Sequence, residues 1–132
     1  MKLKSILLFL SLLFSVSSFS QQASLTIVNN SQRSMSVKVM RGSSGKGQLH
    51  EKVTIYANSS ETIYFSQSGN YFTKTKATIN GRDPICRKGK PFKVTSDETG
   101  YSVLTLTFTI KESKVPQVMG GVQISQKEFE QD

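Results

Sequence analysis

Tryptophan is absent from this chain of 132 residues, and cysteine and histidine occur once each, at Cys86 and His50. A single cysteine closes no internal disulfide, so the core must hold without a covalent staple. One histidine and one cysteine also fall short of the three or four ligands of an ordinary zinc site. Acidic residues number only nine and are scattered. The facing carboxylates of a glycosidase and the closely spaced oxygens of a calcium loop have no counterpart; Asp97 and Glu98 sit in a turn-forming SDETG stretch. Gly45-Lys46-Gly47 lacks phosphate-loop spacing, since Gln48 follows and no helical pattern begins there. Nothing in the sequence brings Cys86 and His50 together as a nucleophile and its base. The chain is therefore expected to be no enzyme and to need no cofactor and no metal.

Long apolar runs are missing too, with one exception. Lys2 and Lys4 precede the stretch Ile6 to Val16 (ILLFLSLLFSV), and Ser18-Phe19-Ser20 fits the small-x-small pattern of a cleavage site. Residues 1–20 read as a cleavable secretory signal peptide cut after Ser20. The run is too short for a spanning helix, which needs about 20 apolar residues, and no other transmembrane segment follows. The expected location is periplasmic or secreted, and the flanking pattern reads as bacterial. The leader carries two lysines and no acid, so its removal lowers the net charge from +8 to +6. An exported basic domain meets anionic polysaccharide and lipid headgroups rather than nucleic acid. A moderate charge also serves solubility alone.

What the sequence has in abundance is β-forming alternation bounded by turn residues. Leu25 and Ile27 alternate with Thr26 and Val28. After a turn at Asn29–Gln32, Met35, Val37 and Val39 alternate with Ser36, Lys38 and Met40, which predicts a hairpin with one apolar face. Further strands are predicted at about 49–57, 61–66 and 71–80. A short sixth is predicted at 91–95, placed on an edge because Pro91 has no N–H to give. A long seventh covers 101–111, with Leu104, Leu106, Phe108 and Ile110 on one face. Seven strands with evenly spaced turns and no interleaved helices predict an all-β domain over residues 21–111. Its expected form is an antiparallel β-sandwich of immunoglobulin-like architecture, with a small β-barrel as the alternative. The Cys…Trp…Cys hallmark of immunoglobulin domains is absent. The tail, residues 112–132, is broken by Val115-Pro116 and Gly120-Gly121 and offers a capping box at Ser125 and Glu128. Val115, Val118, Met119, Val122 and Ile124 are apolar enough to dock; the first half of the tail is expected to do so and its last few residues to fray, the alternative being a free tail that carries an address or a partner contact.

The distinctive surface chemistry is basic. Arg82, Arg87, Lys88, Lys90 and Lys93 crowd one region, and Lys74 and Lys76 share one face of the preceding strand with Phe72, next to Tyr71. If those strands are neighbours, they form an anion-binding patch with aromatic contacts; edge lysines also block aggregation between strands. Cys86 beside Ile85 is expected to be buried and inert, although Arg87 and Lys88 would favour the thiolate. The leading expectation is an exported interaction or accessory module of the envelope or extracellular space, with a protein partner at its sheet edges or tail. The alternatives are a binder of anionic glycan or lipid headgroup through the basic patch, and a thiol-dependent enzyme or redox protein using Cys86.

Overall fold

The computed structural model describes residues 22–43 and 47–131. Residues 1–21, which hold the expected signal peptide, residues 44–46 of the glycine loop and Asp132 lie outside the described residues. Along the chain run β1 (Ala23–Asn30), β2 (Ser34–Arg41), β3 (Gln48–Ile55), β4 (Ser60–Phe65), β5 (Gly69–Thr78), β6 (Ile85–Lys88), β7 (Phe92–Val94), β8 (Ser96–Asp97), β9 (Gly100–Tyr101), β10 (Val103–Lys111), β11 (Gln117–Met119), β12 (Val122–Gln123) and a helix, α1 (Gln126–Glu130). The chain is all-β with mainly antiparallel pairing, compatible with a β-sandwich. One sheet has the order β11-β10-β1-β4, and a second has the order β12-β6-β5-β2-β3, with β7 also on β5. Their apolar faces share one core, in which Leu25, Ile27, Ile63 and Phe65 of the first sheet meet Met35, Val37, Ile55 and Tyr71 of the second. This is why the alternation reads so cleanly: each strand has one face in that core, and successive side chains point to opposite faces.

The strand count differs from the seven expected. The predicted sixth strand is half of an interrupted one. β6 and β7 both run antiparallel to β5, and the register slips between Lys74↔Lys88 and Tyr71↔Phe92. Gly89, Lys90 and Pro91 occupy the interruption. Gly89 lies so close to β5 that a Cβ there would stand 2.6 Å from Thr73 Oγ1. β8 and β9 form a small separate hairpin, and β11 and β12 come from the tail.

A second difference concerns the first two strands. They form no hairpin: β1 and β2 belong to opposite sheets. Alternation cannot separate the two arrangements, because both bury Leu25 and Ile27 together with Met35, Val37 and Val39. A buried polar corner makes the crossing. Asn29 Nδ2 donates to the carbonyls of Arg33 (2.7 Å), Ile55 (3.0 Å) and Tyr56 (3.1 Å), and Ser31 Oγ donates to Asn29 Oδ1 (2.6 Å). β1 then pairs in parallel with β10 and antiparallel with β4.

Arg33 is the largest fully buried side chain, 1% exposed. Its Nε and Nη2 donate to the two carboxylate oxygens of Glu112 at 2.9 and 3.1 Å, and its Nη1 donates to the carbonyls of Ala77 (3.2 Å) and Asp83 (2.9 Å). One guanidinium thus joins the β1–β2 crossing, the β5–β6 turn and the end of β10. The hydrogen bond from Arg33 holds the Glu112 carboxyl below its usual range; partial burial opposes this, and the charges of Arg33 and Arg82 assist. A lowered folded-state value means that the stability due to this carboxylate is complete above the ordinary pKa of 4.5 and is lost as pH falls through the lowered value. Glu112→Ala, which leaves a buried charge without its counterion, is expected to cost about 3 kcal/mol in denaturant unfolding at pH 7. The variant should lose less stability than the wild type between pH 7 and pH 3; an equal loss in both proteins would show that the pair does not control the acid transition.

Candidate functional site

The outer face of the second sheet carries a row of lysines. Lys52 of β3 faces Lys38 of β2, Lys38 faces Lys74 of β5, and Lys74 faces Lys88 of β6, each in direct cross-strand register. Like charges at such positions repel, and lysine is seldom buried unless its charge is matched. Yet Lys38 is 5% exposed and Lys74 is 4% exposed. The C-terminal tail covers them. Lys38 Nζ donates to the Phe129 carbonyl at 3.0 Å and lies 4.9 Å from the centre of the Phe129 ring. Lys74 Nζ donates to the carbonyls of Glu128 (3.1 Å) and Gln131 (2.8 Å), and Lys76 Nζ stands 3.6 Å from Glu130.

These carbonyls lie in the last turn and cap of the helix, where positive charge is favoured; that of Glu128 also accepts from Gln131 N at 3.3 Å. Ser125 caps the other end, its Oγ accepting from Glu128 N at 3.1 Å, as its spacing in the sequence implies. Phe129, 2% exposed, anchors the helix. The expected fraying of the last few residues is therefore replaced, through Gln131, by docking on the sheet.

The structure divides the seven basic residues picked out in the sequence among several places. Lys74, Lys76 and Lys88 do share one face with Phe72, because β5 and β6 are neighbours. Lys88 Nζ lies 5.1 Å from the Phe72 ring centre, but Phe72 itself is buried. Tyr71 points the other way, into the core, and donates from its hydroxyl to the Gln67 carbonyl at 3.0 Å. Arg82 and Arg87 line a polar hollow of about 730 Å3 between the β5–β6 turn and the tail, together with Asp83 and Lys114. Both guanidinium groups are engaged there: Arg82 donates to the Ser113 carbonyl, and Arg87 donates to the carbonyls of Gly120 (2.8 Å) and Gly121 (3.0 Å). Lys90 borders a separate groove, and Lys93 is exposed on β7.

That groove, about 490 Å3, opens between the two sheets. Leu104, Leu106 and Phe108 of β10 form one wall, Gly89–Phe92 the other, and Leu25 and Thr73 the floor; Met119–Gly121 closes one end. Its apolar walls are only half covered, although they pack against the core. β11 pairs with β10 at Thr109–Lys111 alone, so the edge from Val103 to Phe108 has no neighbouring strand among the described residues. The opposite side, between β3 and β4, carries an exposed histidine. There the His50 ring stacks on Phe65 at 4.9 Å and meets Tyr71 edge-on at 5.5 Å, and its Nε2 is 3.0 Å from the Tyr64 carbonyl.

Cys86 is buried, and burial raises its pKa; the charge of Lys76 lowers it and that of Glu130 raises it. The neighbouring Arg87 and Lys88 are engaged elsewhere. His50 on β3 lies three strands away from Cys86 on β6, roughly 14 Å at ordinary strand spacing, so they form no dyad. Among the described residues no three His, Cys, Asp or Glu side chains gather where they could hold a metal ion, and no helix is long and apolar enough to cross a membrane. Compared with known family models, curated proteins and solved structures, the chain matches none.

Sequence reasoning missed Lys38 and Lys52, whose place in the row depends on register, and the groove, which depends on how far the tail travels along β10. Alternation had put Lys38 on the face of Met40, but nothing local pairs it with Lys74. The tail also shields Cys86: Ile124 N donates to the Cys86 carbonyl at 2.9 Å. Phe129→Ala should therefore speed maleimide labelling of Cys86 by about tenfold, as expected for loss of local rather than global stability. Labelling at the wild-type rate would show that the helix is not what covers the thiol.

Proposed function

We propose that the protein is an exported, non-enzymatic interaction module, working in the bacterial envelope or the extracellular space, that holds a protein partner. The observation that supports this reading is the open side of the sandwich: half-covered apolar side chains beside a strand edge with no neighbour. Unpaired edges invite another chain and are usually blunted, and apolar patches left open mark contact surfaces. The signal-peptide pattern supports export, and the burial of Cys86, which raises its pKa, favours this reading over thiol chemistry. Affinity capture of the tagged protein from its own envelope fraction, at low and high salt, tests the proposal. A defined protein partner that survives high salt is the expected result, and a protein that comes back alone in both conditions would overturn it.

A second reading draws on the lysine row. Lys52 is exposed and Lys88 is half exposed at the two ends of that row, and an acidic polysaccharide or anionic headgroup would suit them. Such binding must weaken as salt screens it. Lys52→Gln with Lys88→Gln should lower retention on heparin or anionic vesicles at 50 mM salt by severalfold, on the order of the loss expected for removing two surface charges. Retention that changes with neither salt nor these lysines would end this reading.

A further inference from the structure

Resting on the interaction-module reading and sharpening it, we infer that the groove between β10 and the Gly89–Phe92 interruption receives an extended segment of a partner protein. This segment is added as a strand to the free edge of β10, carries apolar residues at alternate positions, and has acidic residues at its flank. Three observations define this occupant.

The first is the backbone. From Val103 to Phe108, β10 pairs on one side with β1 and on the other with nothing among the described residues. Backbone N–H and C=O groups require partners once they are taken out of water, so whatever fills the groove and covers this edge must replace the water that now serves them. A second strand supplies them along the whole edge, and a lipid chain or other apolar molecule does not. Six residues of strand span about 20 Å, enough for three side chains of an added strand to point inward.

The second is the lining. Inward side chains of such a strand would meet Leu104, Leu106 and Phe108 on one wall and Phe92 on the other, above Leu25. Outward ones would stand beside Thr105 and Thr107, which are exposed. An alternating apolar and polar segment fits both faces, as in peptide binding by strand addition generally.

The third is charge. Arg87 and Lys90 line the groove, and among the described residues no acidic one does. Arg87 is held by the carbonyls of Gly120 and Gly121, whereas Lys90 is exposed at the rim. The complement is a carboxylate-bearing flank. A second copy of this chain, with a net charge of +8 in full and still positive without its expected leader, is the poorer match. The chain's own tail does not fill the place. β11 ends at Met119, and Gly120 and Gly121 turn away from β10 with φ of 86° and 69°. Gly121 is pressed against β6, where a Cβ would lie 3.0 Å from the Lys88 carbonyl.

The test uses the purified protein and a synthetic peptide, Asp-Glu-Val-Thr-Val-Thr-Val-Thr, with a control in which the middle valine is proline. Calorimetric titration is paired with amide hydrogen exchange. The expected result is saturable binding of the first peptide only, with slowed exchange confined to β10 over Val103–Phe108. Lys90→Glu, a substitution at an exposed position that leaves the fold intact, should weaken binding about tenfold. A peptide with Lys-Lys in place of Asp-Glu should recover it. Leu106→Arg should abolish binding, with its circular dichroism melt checked against the wild type.

No peptide binding, equal binding of the proline control, exchange unchanged in β10, or displacement of the peptide by a phospholipid micelle would each overturn the inference. Concentration-dependent dimers whose β10 amides are protected without peptide would overturn it in favour of a second copy. Envelope capture with Lys90→Glu and Leu106→Arg separates the two levels of the argument. A partner retained equally by both variants leaves the interaction module standing and removes the groove; no partner with any form, while the peptide binds, removes the module and keeps the groove.

Discussion

The buried guanidinium of Arg33 is the constraint on which the arrangement of this chain turns. A charge that far from water is tolerable only with a full set of acceptors, and these come from three separate stretches: Glu112, Ala77 and Asp83. Satisfying Arg33 therefore brings the β1–β2 crossing, the β5–β6 turn and the end of β10 to one corner. Beside it, Asn29 binds the carbonyls at the end of β3. With these contacts made, β1 lies between β10 and β4, and β2 lies in the other sheet. The apolar faces then meet across the core rather than side by side.

The same corner starts the tail in the direction it takes. From Glu112 the chain passes Arg82 and pairs briefly on β10. It crosses to β6 through Gly120–Gly121, held there by Arg87, and ends as a capped helix on the lysine row. Much of the positive charge is therefore spent inside the molecule, on backbone carbonyls and on Glu112 and Glu130. Carbonyl partners and a facing aromatic ring make the burial of Lys38 and Lys74 tolerable where neighbouring lysines alone would repel.

The two long sides of the sandwich end differently because of what each edge was given. On one side the exposed His50 ring lies against Phe65 and Tyr71. On the other, the tail covers only the last three residues of β10, and the β6–β7 interruption bends the facing strand at Gly89–Pro91. The result is an apolar slot beside a free strand edge; β3 and β4 also end their sheets without a further neighbour among the described residues, but there the His50 ring lies against Phe65 and Tyr71.

Alternation in single strands was enough to read the β class, the inward faces of β1, β2, β5 and β10 and the Ser125 cap, because side-chain period and capping chemistry are local. The neighbourhood of Lys74 and Lys76 with Lys88 was legible as a condition, namely that two consecutive strands pair. The sheet assignment of β1 and β2, the parallel pairing of β1 with β10, the strand pieces in the tail and the lysine row from Lys52 to Lys88 were not. Composition by itself determined that this chain folds as strands without an internal disulfide and carries excess positive charge. Only the tertiary structure decided which charges are consumed internally and which edge stays open, because register and the path of the tail are set by contacts between residues tens of positions apart, as Arg33 and Glu112 are.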